Sequence, residues 1–388
     1  MTDRSLIFPR AEYAARIAAF QARMARAGAD ALLLTSPADV FYTTGFLTRF
    51  WESPARPWFI VIPVEGAPVA VIPSIGADLM GRTWLEDIRT WDAPDPVDDG
   101  VSLLAETLSA LVPDRGRIAL PMGLETHLRM PVRDFERVRA ALSPRTFVDG
   151  TDVVQRVREV KSEAEIAKIR ATCGIADRAF ARVAEFAAAG ATLAHVFRAF
   201  QITLLEEGAD WVSYVAAGAG QGGYGDVISP AGPEPLLRGD VLMLDTGAVR
   251  DGYFCDFDRN FSVGPANDRV RRAHEALVSA VADTARDLRP GMRARDVHRL
   301  LCAGLTAREQ MPCGGRLGHG LGITLTEWPS FTPKDDTTLR AGMVLTLEPG
   351  VDLGRGRIMV HEENIVLREG GAEFLSTPAP PDLPELSG

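Results

Sequence analysis

Asp245, Asp256, His319, Glu348 and Glu362 are the residues of this 388-residue sequence whose types and settings suit chemistry. Asp245 closes the apolar run 241–244, which reads as a buried strand. Gly247 and Gly252 then punctuate a turn, and residues 252–255 start a second β-prone run leading into Asp256. A hairpin here sets the two carboxylates on neighbouring strands at the end of an apolar core. Asp beside Gly at a strand end is also ordinary turn chemistry, so this pair alone decides nothing. Downstream, His319 stands in Gly318-His319-Gly320-Leu321-Gly322. Glu348 ends the strand-like run 344–347 ahead of Pro349-Gly350, and Glu362 lies inside the strand-like run 359–366. Buried carboxylates are costly unless paired, hydrogen-bonded or bound to metal. One imidazole with four carboxylates is a candidate ligand set for two divalent metal ions. Its oxygen-rich character suits Mn²⁺, Co²⁺, Fe²⁺ or Zn²⁺. Two ions side by side can activate one water and polarise one carbonyl together.

The order Asp245, Asp256, His319, Glu348, Glu362 resembles the metal set of the pita-bread metallopeptidases, family M24. That family includes methionine aminopeptidase, Xaa-Pro aminopeptidase and prolidase, with creatinase as a metal-free relative. The stretches LDTG, GYFCDFDRNF, GHGLG, TLEPG and HEENIV carry the resemblance. The first part of the chain is similar to the N-terminal domain of prolidase and creatinase. The resemblance implies that Asp245 binds one ion, that His319 and Glu348 bind the other, and that Asp256 and Glu362 bridge them. It gives Glu348 a catalytic role as well, taking a proton from the attacking water.

The sequence departs from the family in three places. A second histidine commonly follows the glycine-flanked one and donates to the substrate carbonyl. Thr326 holds that place here, so a neutral hydroxyl is the candidate catalytic donor. Xaa-Pro peptidases usually carry a histidine upstream of the first aspartate, and residues 212–244 contain none. Asp258 stands where the family often has threonine; it could adjust the metal site, pair with Arg259 or face a polar groove. His361, beside Glu362, alternates to the opposite strand face, which suits packing or support of the site.

A net charge of -10 argues against nucleic acid and against anionic membranes. No apolar run reaches transmembrane length and the first residues lack a signal-peptide core. The four cysteines form no C-x-x-C pair and read as reduced thiols of a cytoplasmic protein. Cys255 reads as a small buried hydrophobe. Lysine is nearly absent, with arginine carrying the positive charge; no function follows from that.

A content of 46% hydrophobic residues allows sizeable cores. The expected domains are 1–155, α/β and creatinase/prolidase-like, and 156–388, a pita-bread catalytic domain of α+β type. Residues 9–27 read as an amphipathic helix with Tyr13, Ile17, Phe20 and Met24 on one face. Residues 59–63 and 68–72 read as a hairpin. The segment from Thr48 to Trp58 concentrates arginines and indoles. A packed loop with surface arginines is one reading. The family offers another, in which this domain covers the active site of a partner subunit. Arg49, Trp51 and Arg56 are then candidate substrate-binding residues, and partner contact in a homodimer covers the aromatic surface.

In the second part, Ser162-Glu163-Ala164-Glu165 reads as a capping box that starts a long helix. Further helices are expected over 192–208, 267–289 and 294–309. His195 reads as a helix-surface residue, His298 as surface or packing, and His274 as solvated on a charged stretch. The glycine-rich run 212–225 lacks a P-loop lysine, so phosphate binding is not expected. The function expected is hydrolysis of an amide or peptide bond in a small-molecule or short-peptide substrate. Its alternatives are a creatinase-like C–N hydrolase or lyase acting on a non-peptide, or a non-catalytic binding protein.

Overall fold

The amphipathic stretch near the start folds as the helix Arg10–Ala27, which buries Tyr13, Ile17, Phe20 and Met24, the face its spacing predicts. The structure is a computed structural model that describes residues 7–51 and 56–388. The chain forms two compact units, Met1–Arg158 and Glu159–Gly388.

The first unit is built on a six-stranded sheet of β1 (Ala31–Leu34), β2 (Phe59–Pro63), β3 (Val69–Pro73), β4 (Asp87–Trp91), β5 (Arg117–Leu120) and β6 (Thr146–Asp149). The spatial order is β4-β3-β2-β1-β5-β6. β2 pairs antiparallel with β1 and β3, whereas β1–β5, β5–β6 and β3–β4 are parallel. β1, β2 and β3 are buried at every position. That is why they read as continuous apolar runs rather than alternating ones. Leu33, Val61 and Val71 pack with Leu104 and Leu108 of the helix Val101–Leu111.

Trp58 corrects the expectation of an aromatic loop surface. Its ring is buried within this unit, 5.0 Å from Phe46, because it leads directly into the central strand β2. Trp51 packs on Trp58 at 5.6 Å and keeps part of its surface outside. Residues 52–55 of the same loop lie outside the described residues.

The second unit opens with the predicted capping box, Ser162 with Glu165, which starts the helix Glu163–Ala181. Its strands are β7 (Trp211–Gln221), β8 (Asp240–Arg250), β9 (Tyr253–Phe254), β10 (Phe257–Val263), β11 (His319–Gly320), β12 (Glu327–Ser330), β13 (Val344–Leu347), β14 (Gly350–Gly354), β15 (Arg357–Val360), β16 (Glu363–Arg368), β17 (Gly371–Phe374) and β18 (Glu385–Leu386). One sheet runs β18-β10-β8-β7 with β9 on β8; a second runs β12-β11-β13-β16-β17; β14 and β15 form a ribbon. The helix Asp268–Asp287 serves both sheets. Its Ala273 and Leu277 pack with Val241 and Met243 of β8, and its Val281 and Ala285 pack with Leu345 and Leu347 of β13.

Three local expectations are corrected. β8 does not stop at Asp245 but runs on to Arg250, and the turn is Asp251-Gly252, both with positive φ. Gly247 is therefore inside the strand. Glu362 lies in the break between β15 and β16, not within a strand. His274 is buried, 1% exposed, and not solvated. It sits one turn after Val270 on the apolar stripe, and its Nε2 meets the Pro380 carbonyl at 2.9 Å, so the C-terminal segment covers it.

Candidate metal centre

Three strand ends and one strand interior bring the carboxylates together. Asp245 in β8 lies directly opposite Asp258 in β10, so both side chains project from one face of the sheet. Asp256, two residues before Asp258, shares that face. The second sheet supplies His319 at the start of β11, Glu348 just after β13 and Glu362 just before β16. Metal-binding atoms of Asp256, His319 and Glu362 all lie within 4.8 Å of one another. Asp256, His319 and Glu362 are buried, while Asp245 and Glu348 are partly exposed, so the group opens to solvent on their side.

The imidazole of His319 is aimed by its surroundings. Its Nδ1 lies 2.8 Å from the Gly320 carbonyl and donates to it, which turns Nε2 toward Asp256 Oδ2 at 3.3 Å. A backbone-tied Nδ1 with a directed Nε2 is the usual arrangement of a metal-binding histidine. Gly320 is required by close approach, since a Cβ there would fall 2.1 Å from the Trp328 carbonyl.

Tyr214 belongs to the site, though nothing in the local sequence marks it. Its hydroxyl lies 3.1 Å from each carboxylate oxygen of Asp245 and also donates to Asp256 Oδ1. A register shift between Val212 and Val215, where β7 pairs with β8, sets Tyr214 opposite Gly247. Such bulges re-aim side chains next to active sites. A Cβ on Gly247 would sit 2.4 Å from the Tyr214 ring, so the glycine makes the space the ring occupies. The readable signal is an aromatic on the strand paired with the Asp-x-Gly strand.

The charges show what the cluster lacks. Burial, then the field of Asp256, pushes the carboxyls of Asp245 and Glu362 well above the ordinary range. Burial pushes Glu348 up to about 7, partly offset by His319. Burial also raises the Tyr214 hydroxyl well above its usual value, with Asp245 adding to it. For His319, burial disfavours protonation but Asp256 outweighs it and the net shift is upward. The group is short of positive charge. Glu348 Oε2, Glu362 Oε1 and Asp258 Oδ2 are buried atoms with no hydrogen-bond partner among the described residues. Orphaned carboxylate oxygens facing one imidazole are what a divalent cation satisfies, and the donor set fits one.

A supporting layer surrounds the carboxylates. Asn364 accepts the Asp256 N–H at 3.0 Å and donates to the Asp256 carbonyl. Asp258 Oδ1 accepts the Glu362 N–H at 3.0 Å. His361 stands between Asp258 and Glu363, 3.4 Å from each. Burial disfavours its protonated form, but these two carboxylates raise its pKa overall. Glu363 is held by Arg259 at 3.0 Å and by Ser376.

The remaining predicted residues lie as follows. Thr326 is half-buried just ahead of β12, and its hydroxyl makes no hydrogen bond among the described residues. Its neighbour Glu327 forms a fully buried ion pair with Lys161 at 2.9 Å. In the first unit, Arg129 stacks over Trp51 at 5.1 Å, and the Arg56 guanidinium lies 5.9 Å from the Phe50 ring. Arg49 is exposed.

The sequence pattern of metallopeptidase family M24 matches residues 167–369, and that of the creatinase/prolidase N-terminal domain matches residues 16–160. The chain belongs to family M24, and it is a metal-dependent hydrolase of peptide bonds that uses divalent metal. It is 29% identical over 377 residues to "Probable dipeptidase PepE" of Mycobacterium tuberculosis, covering 94% of this chain and 95% of that protein. It is 25% identical over 357 residues to the Xaa-Pro dipeptidase of Pyrococcus horikoshii, covering 90% and 93%. The crystal structure of dipeptidase PepE from Mycobacterium ulcerans superposes with a TM-score of 0.84 at 27% identity, covering 98% of this chain and all of that one. Both parts of the expected fold are thereby borne out. No helix among the described residues is long and apolar enough to cross a membrane.

Proposed function

We propose that the protein is a dinuclear dipeptidase whose two divalent ions are held by Asp245, Asp256, His319, Glu348 and Glu362. The observation that carries this reading is the convergence of Asp256, His319 and Glu362 within 4.8 Å, flanked by two further carboxylates. Charge supports the count. Asp258 has His361 beside it, which leaves Asp245, Asp256, Glu348 and Glu362 to be balanced by two dications. When bound, such ions polarise a carbonyl and lower the pKa of a water.

The protein's own groups do the rest. Tyr214 orients Asp245 and Asp256 through one hydroxyl. Glu348 Oε2 is the atom for holding the proton taken from water and returning it to the departing amine. The Thr326 hydroxyl donates to the carbonyl oxygen as negative charge builds on it. Arg49, Trp51 and Arg56, carried on the 1–155 domain of a homodimer partner, meet the substrate's terminal carboxylate at the 156–388 domain. The relatives named as dipeptidases support a short-peptide substrate.

Elemental analysis of protein purified without added metal, with hydrolysis of Ala-Ala, Leu-Gly and Ala-Pro after loading with Mn²⁺, Co²⁺ or Zn²⁺, tests the reading. Close to two ions per chain and metal-dependent cleavage are expected. A chain that binds at most one ion when active, or that leaves every dipeptide intact, overturns it.

A further inference from the structure

Asp256 and Glu362 are tied together by two side chains that each stand two positions further along. Asn364 holds the backbone of Asp256, and Asp258 holds the backbone of Glu362. The first of these ties uses a neutral amide that satisfies both an N–H and a carbonyl. The second uses a carboxylate, and a carboxylate inside a crowd of carboxylates needs a reason to stay where it is. Asp258 is 1% exposed, faces Asp245 across the strand pair, and leaves Oδ2 without a hydrogen-bond partner among the described residues. Released from its place, it lets go of the Glu362 N–H and of the backbone that aims that carboxylate.

His361 is what stands against it. The ring is 1% exposed, with Nδ1 3.4 Å from Asp258 Oδ1 and Nε2 3.4 Å from Glu363 Oε1. These are charge contacts, longer than hydrogen bonds. The far side of the ring is closed by His274, whose ring centroid is 6.3 Å away. Glu363 is itself anchored by Arg259 and Ser376. The ring is thus braced from two sides and holds Asp258 by its Oδ1.

We propose that Asp258 and His361 act as one positioning unit for Glu362. Asp258 fixes the Glu362 backbone by accepting its N–H, and His361 keeps Asp258 on that N–H. Neither residue touches substrate. The proposal rests on the metal reading above and adds to it a pair of residues that set the geometry of one bridging carboxylate.

The test is Co²⁺ binding to the full chain stripped of metal, measured by calorimetry, together with the visible spectrum of the Co²⁺-loaded protein and thermal unfolding of the metal-free form. Asp258→Ala and His361→Ala are each expected to weaken Co²⁺ binding by about 10- to 100-fold, the usual cost of losing an outer partner of a ligand. Each also changes the Co²⁺ absorption spectrum. The double variant is expected to lose no more than the weaker single one, because residues acting as a unit are not additive. Where an alanine variant does not fold, Asp258→Leu and His361→Leu, which keep bulk and remove the polar atoms, carry the same comparison. Additive losses overturn the proposal. So does wild-type Co²⁺ affinity and spectrum in either single variant, even with a lowered unfolding temperature, since that marks a purely structural pair. Failure of the wild-type chain to bind Co²⁺ is a different result and removes the metal reading itself.

Discussion

Asn364 and Asp256 are joined by two hydrogen bonds, the Asn364 amide taking the Asp256 N–H and giving its own N–H to the Asp256 carbonyl. A carboxamide does both at once by presenting an acceptor and a donor side by side. Asn364→Asp keeps the size and the acceptor but sets an anion against a carbonyl oxygen, with a buried charge added. It is expected to lower metal affinity by about 10- to 100-fold, read by calorimetry. Wild-type affinity in that variant means the amide does not hold Asp256.

Tyr214 and Gly247 make a paired prediction. Gly247→Ala drives a Cβ into the Tyr214 ring and is expected to cost about 1–3 kcal/mol of stability as overpacking does. In a Tyr214→Ala background the same change is expected to cost almost nothing. Thermal or urea unfolding of the four proteins of this cycle decides it, and equal penalties in both backgrounds disprove the contact.

The pH dependence of the metal-free protein follows from Glu348. Its carboxyl ionises near 7 in the folded chain against an ordinary 4.5. Between those values the folded state keeps a proton that the unfolded state has lost, so stability falls as pH rises through this window. Asp245 and Glu362 shift in the same direction. Metal-free protein is therefore expected to unfold more readily at pH 7.5 than at pH 5, and Glu348→Gln to flatten that slope. Metal loading reverses the trend, because binding expels the protons. A metal-free unfolding temperature that rises steadily over this range contradicts the charge reading.

His319→Ala and Glu348→Ala are each expected to abolish turnover while leaving a folded chain. Among the described residues no other imidazole stands in the cluster, since His361 is committed to Asp258 and Glu363. Wild-type rates in both metal-loaded variants, with circular dichroism unchanged, sink the dinuclear model.

Ordinary Xaa-Pro dipeptides are expected to be poor substrates. Thr326 replaces a charged donor with a neutral one, and charge-assisted bonds are about twice as strong. Loss of one such stabilising donor costs about two to three orders of magnitude in rate. Measuring kcat/KM on Ala-Pro and Leu-Pro with Mn²⁺, Co²⁺ and Zn²⁺ decides the matter. Values of about 10⁴ M⁻¹s⁻¹ or more would falsify it.

What was legible in the sequence follows a physical line. Carboxylates at the ends of apolar runs, and a histidine between glycines, stand out because such positions are expensive without a partner. Helices were legible where an apolar stripe and a cap coincide, as at Ser162 and along residues 10–27. Tyr214 was not, because its role depends on a bulge and on a glycine more than thirty positions away. The ties from Asn364 and Asp258 were hidden for the same reason, since they cross between strands of different sheets. His274 reads as solvated because its neighbours in sequence are charged, whereas the groups that cover it, Pro380 and His361, lie far along the chain. Glu362 looked like a strand interior because nothing local announces the break between β15 and β16.

The buried pair of Lys161 and Glu327 dictates where the gene can be cut. Three consecutive residues at the start of the second unit are each fastened into it. Glu159 pairs with Arg340, Val160 bridges to Met343, and Lys161 binds both Glu327 and the Gly342 carbonyl. A fragment beginning at Ser162 looks tidy, since it starts on a helix cap. It would take Lys161 from an enclosed Glu327 that keeps its hydrogen bonds from Ile323 and Thr324, a loss on the order of 3–5 kcal/mol, beside the loop that carries Thr326. A fragment beginning at Glu159 keeps all three fastenings.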